Sequence, residues 1–239
     1  MTTFVLVHGA WHGAWCWHRL VPLLEAQGHK VLTPDLPGHG IDATPIAGLA
    51  LADYARAVAA VVSAAREPVV LVGHSLGGLV ISQAAEFAPD RLRRLVYLAA
   101  FLPVDGDSCS RMTADDTESL ANRCTAVDRE AGVLRLAGNA VRAALCADGP
   151  AESIALAARC LRPEPLAPLT EPVQLSAAAF GSVPRAYIEC TDDRTIPLAR
   201  QRWMQSRQAC ERVITLPCSH SPFFSMPEQL AACLTDLAA

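Results

Sequence analysis

Gly73-His74-Ser75-Leu76-Gly77 sets a serine between two glycines. Val69-Val70-Leu71-Val72 leads into it as a wholly apolar run, and Leu79, Val80, Ile81, Ala84, Ala85 and Phe87 follow at helical spacing. Strand, tight turn and helix is the context in which Gly-x-Ser-x-Gly presents a nucleophile rather than an ordinary turn. Serine at the tip of such a turn is held in a strained backbone conformation, and the flanking glycines let strand and helix approach closely. Its hydroxyl then stands above the sheet edge, in front of the free N–H groups and positive dipole end of the helix.

A serine hydroxyl is a weak nucleophile at neutral pH and needs a base, which in turn needs an orienting group. With a turn of this kind the order along the chain is serine, acid, histidine. Of seven histidines His220 alone follows Ser75, in a loop just after the last apolar run, and is the expected base. The acid belongs at the end of the preceding strand, where Thr191-Asp192-Asp193-Arg194-Thr195-Ile196-Pro197 offers two carboxylates. Asp193 is preferred because it stands four residues before a helix-starting proline; Asp192 is then a turn or capping residue paired with Arg194.

The oxyanion of an acyl transfer needs two preorganised donors. The Leu76 N–H, next after the serine, and the Ala10 N–H, in the first strand–helix loop, are the candidates. Trp11 and His12 in that loop are candidate pocket residues, with His12 alternatively holding the loop. His8, His29 and His39 read as structural or solvated, and His74 as packing locally. His8, His12 and His18 lie close together, but no carboxylate or cysteine completes a metal-ligand spacing. No metal is expected.

The elements that must hold these groups alternate. Residues 4–7 form a short apolar strand, Leu20, Val21, Leu23 and Leu24 give a helical period stopped by Gly28, and Val31-Leu32 begins a second strand. An amphipathic helix is expected over 49–66, and a strand over 95–100 after the serine helix. Repeated strand–helix units imply right-handed crossovers and a mostly parallel sheet covered on both faces. The rhythm breaks at Pro103. Residues 103–182 read mainly as short helices near 116–123, 138–147 and 151–161, then as an extended passage forced by Pro163, Pro165, Pro168 and Pro172. It resumes with a strand over 185–190, a helix near 197–208, a last strand over 213–216 and a last helix over 227–238. The expectation is one α/β domain over 1–239, with 103–182 a cap insertion on the carboxyl edge of the sheet.

Composition narrows the function. Hydrophobic residues make up 51% of the 239 and charged residues 18%, which suits a substantial core and excludes disorder. A net charge of −4 without a basic run gives nucleic acid no electrostatic footing. No stretch reaches the roughly 18 continuous apolar residues of a membrane span. Met1-Thr2-Thr3 runs straight into the first strand without a cationic region, so no signal peptide is expected. The nine cysteines are scattered with no Cys-x-x-Cys pair, as befits reduced thiols in a cytoplasmic protein.

Taken together these residues resemble the plant methylesterase and hydroxynitrile lyase family of α/β-hydrolases and its bacterial relatives. The likeness covers nearly the whole chain. It is carried by Phe4-Val5-Leu6-Val7-His8-Gly9-Ala10 with His12-Gly13 and Trp17, by Phe180-Gly181-Ser182-Val183-Pro184-Arg185 through Pro197 with Gln201-Arg202-Trp203, and by Leu161-Arg162-Pro163. It implies an α/β-hydrolase fold with a helical cap over an apolar pocket, a Ser75–His220–Asp193 triad, an Ala10–Leu76 oxyanion hole and no cofactor. Cyanohydrin-cleaving members carry a threonine where this chain has Gly9 and a lysine where it has Ser221. The expected activity is therefore a serine esterase acting on small, largely apolar or aromatic carboxylic esters, with carboxyl methyl esters suggested by the resemblance. A hydroxynitrile or other carbon–carbon lyase and a non-catalytic small-ligand receptor are the alternatives. The expected partner is a small-molecule ester, with neither nucleic acid nor membrane and with a homodimer left open.

Overall fold

Phe4, Val5, Leu6 and Val7 are fully buried, as a strand without a polar residue must be when both its faces are covered. They belong to β1 (Thr3–Val7), which in the computed structural model, describing residues 1–238, is the second strand of a six-stranded sheet. After it come α1 (Val21–Ala26), β2 (Lys30–Leu32), α2 (Leu51–Ala64), β3 (Val69–His74), α3 (Gly77–Phe87) and β4 (Leu92–Leu98). The next stretch carries α4 (Cys109–Thr113), α5 (Leu120–Arg123), β5 (Thr125–Asp128), β6 (Val133–Leu136), α6 (Ala151–Cys160), β7 (Glu164–Pro165) and α7 (Ala167–Thr170). The chain returns to the main sheet with β8 (Arg185–Cys190), α8 (Leu198–Arg207) and β9 (Arg212–Leu216), then ends on α9 (Pro222–Ser225) and α10 (Pro227–Ala238).

The order β2-β1-β3-β4-β8-β9 is parallel at every pairing. From β1 the chain steps one way to β2, then back past β1 to β3. Right-handed crossovers in opposite directions put α1 and α2 on opposite faces. Accordingly α2 packs on α3, and α1 on α10. This is the expected mostly parallel sheet with helices on both faces. Where the winding reverses, the carboxyl ends of β1 and β3 leave a crevice between their loops. The loops bearing Ala10 and Ser75 start there, and those bearing Asp193 and His220 leave β8 and β9 on the same edge. Among the described residues, left-handed backbone outside glycine occurs at Trp11 (φ 65°), Ser75 (φ 54°) and Ala99 (φ 42°), each just beyond a strand end at this edge.

Within 103–182 short helices predominate as expected, but a small antiparallel sheet is added to them. Helices occur at α5 and α6, but β5 and β6 form an antiparallel hairpin and β7 adds a third strand. Gly132 (φ 66°) closes the hairpin. The hairpin strands have four residues each and bury only Val133, so neither carries the alternation that betrays a half-buried strand. The expected helix at 138–147 is a 3-10 turn (Gly138–Ala140) followed by a single π turn (Val141–Leu145). The proline-rich passage is extended at β7, yet α7 makes one helical turn with Pro168 in its first turn, where a missing N–H costs nothing.

Candidate active site

Ser75 is held in its strained conformation from three sides. Its N–H donates to the Leu98 carbonyl (3.3 Å), and its own carbonyl accepts from the N–H groups of Gly78 (3.0 Å) and Phe101 (3.1 Å). A β-carbon at Gly77 would stand 2.8 Å from the Val7 carbonyl oxygen, so only glycine lets α3 start so close to β1. The Leu76 N–H lies at the N-terminus of that helix, where the dipole is positive. Leu76 and Ala10 are both buried, yet among the described residues neither N–H donates to an acceptor of the protein. Two free donors beside a serine are what an oxyanion requires, and buried N–H groups are otherwise rarely left unpaired.

Asp193 and His220 meet at the far side of this edge. The His220 Nδ1–H donates to Asp193 Oδ2 over 2.7 Å, with both side chains buried. The other carboxylate oxygen accepts from the N–H groups of Thr195 (2.7 Å) and Ile196 (2.9 Å). Gln201 reaches Oδ2 at 3.4 Å, while its side-chain amide also bonds Cys190 and Ile196, which locks the loop onto α8. With Nδ1 committed to the carboxylate, Nε2 is the ring nitrogen left for the serine. Asp192 is exposed; its N–H donates to the Cys218 carbonyl, and no ion pair with Arg194 forms among the described residues. The expected Asp192–Arg194 pairing is therefore absent.

The histidine loop is tied down twice. His74 donates from Nε2 to the His220 carbonyl (2.9 Å), and the Ser219 N–H donates to Asp148 Oδ2 (2.9 Å). The Ser219 hydroxyl bonds the same carboxylate. Asp148 has no functional signature in the sequence: it precedes Gly149-Pro150, which announces a turn but not what the turn touches.

His12 does not line the pocket, contrary to one of its two expected roles. It takes the other: its Nδ1–H donates to the Ala10 carbonyl (2.8 Å) and its ring stacks on Trp15. Burial pushes the His12 pKa down to about 4, against the pull of the Ala10 carbonyl. His74 and His8 lie well below the ordinary histidine range, again first because of burial. His39 takes the structural one of its two expected roles: it is buried and faces Glu164 at 2.9 Å. Among the described residues no group of three or more His, Cys, Asp or Glu side chains could hold a metal ion. All nine cysteines are free.

A cavity of about 110 Å³ opens onto Ser75. Its floor is Ala10, Trp11, Leu76 and Phe101; its walls include Cys109, Ser110, Thr113, Ala121, Asn122, Thr125, Leu134 and Leu169 from the 103–182 segment, with Thr195 after β8. No acidic or basic side chain is among these residues. Four of the hydroxyls are spent on backbone carbonyls: Ser110 on Leu169, Thr113 on Cys109, Thr125 on Asn122 and Thr195 on Ala144. The cavity is thus uncharged and largely apolar beside the Ser75 hydroxyl.

The Alpha/beta hydrolase family model matches residues 4–233. The chain belongs to the alpha/beta hydrolase family. The hydrolase is 34% identical to a pyrethroid hydrolase of Sphingobium wenxiniae, an alignment covering 100% of this chain and 88% of that one. It is 34% identical to methylesterase 2 of Arabidopsis thaliana over 98% of this chain and 95% of the relative. Of a longer chloroplastic relative in the same plant it spans 63% at 36% identity. A solved pyrethroid hydrolase from Sphingobium faniae matches with a TM-score of 0.91 at 32% identity, covering 99% of this hydrolase and 97% of the other chain. These relatives bear out the expected class, a carboxylic ester hydrolase, and the resemblance to plant methylesterases. Among the described residues of the hydrolase, no helix is long and apolar enough to cross a membrane.

Proposed function

We propose that Ser75, His220 and Asp193 form a catalytic triad that hydrolyses small, neutral, apolar or aromatic carboxylic esters. The observation that carries this reading is the buried 2.7 Å Asp193–His220 pair, set on the same sheet edge as a strained serine that opens into an uncharged cavity. His220 Nε2 takes the Ser75 proton as Oγ attacks the ester carbonyl. Negative charge gathers on the carbonyl oxygen, where the Ala10 and Leu76 N–H groups receive it. Collapse expels the alkoxide, which leaves as the alcohol with the proton from His220. Water, deprotonated by the same nitrogen, then attacks the acyl-enzyme and releases the carboxylic acid. Asp193 stays ionised, holds the ring in the tautomer that frees Nε2 and stabilises the imidazolium.

The 103–182 segment acts as the cap and sets the size of the acyl site. At about 110 Å³ the cavity is well below the roughly 300–1,000 Å³ of drug-sized sites. Carboxyl methyl esters, the substrates suggested by the methylesterase relative's name, therefore suit it better than esters of pyrethroid bulk. The lyase alternative fits poorly: a β-carbon at Gly9, where cyanohydrin-cleaving relatives carry threonine, would sit 2.8 Å from the Ser75 β-carbon. The deciding experiment is turnover of p-nitrophenyl acetate, p-nitrophenyl butyrate and several aryl carboxyl methyl esters by wild type and Ser75→Ala. Wild-type turnover is expected to fall by about 10⁴-fold or more in the variant. Equal rates in the two proteins, or cyanide release from mandelonitrile without ester turnover, would overturn the proposal.

A further inference from the structure

Glu164 is an acidic side chain only 1% exposed, standing between two prolines in β7. A buried carboxylate is retained only where its charge is matched and its lone pairs are filled. Glu164 meets both conditions through three donors. Its Oε2 accepts from His39 Nε2 (2.9 Å) and from the backbone N–H of Trp11 (3.0 Å), and its Oε1 accepts from the Tyr54 hydroxyl (3.1 Å). The other nitrogen of His39 faces the Pro37 carbonyl at 3.2 Å and the Tyr54 hydroxyl at 3.5 Å, so the ring is held on both sides. Burial lowers the His39 pKa, but the charge and hydrogen bond of Glu164 outweigh it and raise it.

The Trp11 N–H belongs to the peptide unit that Ala10 begins. The carbonyl of that unit is held by His12 and its N–H by Glu164. Trp11 is fixed further along as well: its carbonyl accepts from the Arg162 N–H (2.8 Å), and its indole N–H donates to the Leu134 carbonyl (3.1 Å). Its φ of 65° is unfavourable for a residue with a β-carbon and persists only when surroundings enforce it. Three anchors out of the 103–182 segment supply that enforcement, and the one on the peptide next to the free Ala10 N–H is Glu164.

We propose that Glu164 is a positioning residue for ester hydrolysis: its carboxylate clamps the Ala10–Trp11 peptide and so aims the Ala10 N–H at the developing oxyanion. This rests on the reading of Ala10 as an oxyanion donor. The carboxylate touches no reacting atom; His39 and Tyr54 hold it in place. The loop that carries Ala10 is thus fixed from the opposite wall, by a residue 153 positions from Trp11 along the chain.

The test uses Glu164→Ala, Glu164→Gln and Tyr54→Phe in the full chain. A misaimed donor lowers the rate of the chemical step for every ester alike, so Glu164→Ala should lose about 10- to 100-fold in kcat with KM nearly unchanged. Binding of an aryl trifluoromethyl ketone, whose serine adduct places an oxyanion in the same hole, should weaken by the same factor, while binding of the product acid should not. Glu164→Gln keeps an acceptor for Trp11 and should recover much of the loss; Tyr54→Phe, which removes one hydroxyl and leaves the carboxylate in place, should show a smaller loss of the same kind. Hydrogen exchange at the Trp11 amide reads the clamp without turnover and should quicken at least about tenfold in Glu164→Ala, and by a smaller factor in Glu164→Gln and Tyr54→Phe, where an acceptor remains. Unchanged Trp11 exchange, an unchanged kcat, or a loss confined to KM that varies with the acyl group would overturn the proposal. Silence of the wild type on every ester would instead strike at the triad reading, and the exchange measurement would still decide the clamp.

Discussion

Asp192 and Asp193 are adjacent and chemically identical, yet burial and partners separate them completely. Asp193 accepts from His220 and two backbone N–H groups, whereas Asp192 lies in solvent. Replacing Asp193 by asparagine should lower kcat by about 10⁴-fold, because the amide favours the wrong tautomer of the base. Asp192→Asn should stay within about twofold, as exposed substitutions usually do; steady-state kinetics on one aryl ester compares the two. The histidines make a second forecast. Folding keeps His12 neutral down to about pH 4, whereas the unfolded chain protonates it near 6.5. Between those values the unfolded state binds the extra proton, so stability falls with pH, by about 3 kcal/mol for this residue alone. His8 and His74 are depressed for the same reason and act in the same direction. His39 is raised, so its contribution is complete below pH 6.5 and fades as pH rises through its folded pKa. Thermal unfolding should therefore show a lower Tm at pH 5 than at pH 7, with a shallower slope in His12→Gln; a flat Tm would refute this.

At the scale of elements, α9 is four residues long and immediately follows His220, so its stability cannot come from its own hydrogen bonds. Phe223 supplies it, with ring centroids 4.8 Å from Trp17, 4.9 Å from His74 and 4.7 Å from Phe224. Truncation to alanine should cost about 3–5 kcal/mol, read by denaturant unfolding, and should lower kcat as the His220 loop loosens. How far such elements are legible follows from where their side chains point. The strands β1 and β3 are apolar on both faces and could be read directly, and the last helix begins and ends where its periodicity and Pro227 place it. The strained turn at Ser75 and the pairing of Asp193 with His220 could be anticipated because chain order and the elbow restrict the choice. The β5–β6 hairpin was not, since most of its side chains are exposed or half-buried and leave no pattern. Glu164 and Asp148 were hidden for a further reason: their partners lie far away in sequence, and an isolated acidic residue looks like any solvated one.

Across the whole molecule, the loops at one edge of the sheet carry the proposed triad and the 103–182 segment supplies most of the cavity wall. That wall offers no countercharge, and placing an unpaired carboxylate there would cost several kcal/mol. Methyl benzoate should accordingly exceed the monomethyl ester of terephthalic acid by at least about 100-fold in kcat/KM; comparable values would show that charge is accommodated. The same segment that shapes the cavity also grips Trp11 through Leu134, Arg162 and Glu164. Selectivity and turnover are therefore not independent dials. A loop insertion near β6 or β7 would alter what fits and, by the same displacement, blunt the machinery that transforms it. Diversification is easier at wall positions such as Thr113 or Asn122, whose side chains take no part in that grip. On this scaffold a lineage changes its diet most safely by exchanging side chains on a backbone of fixed length.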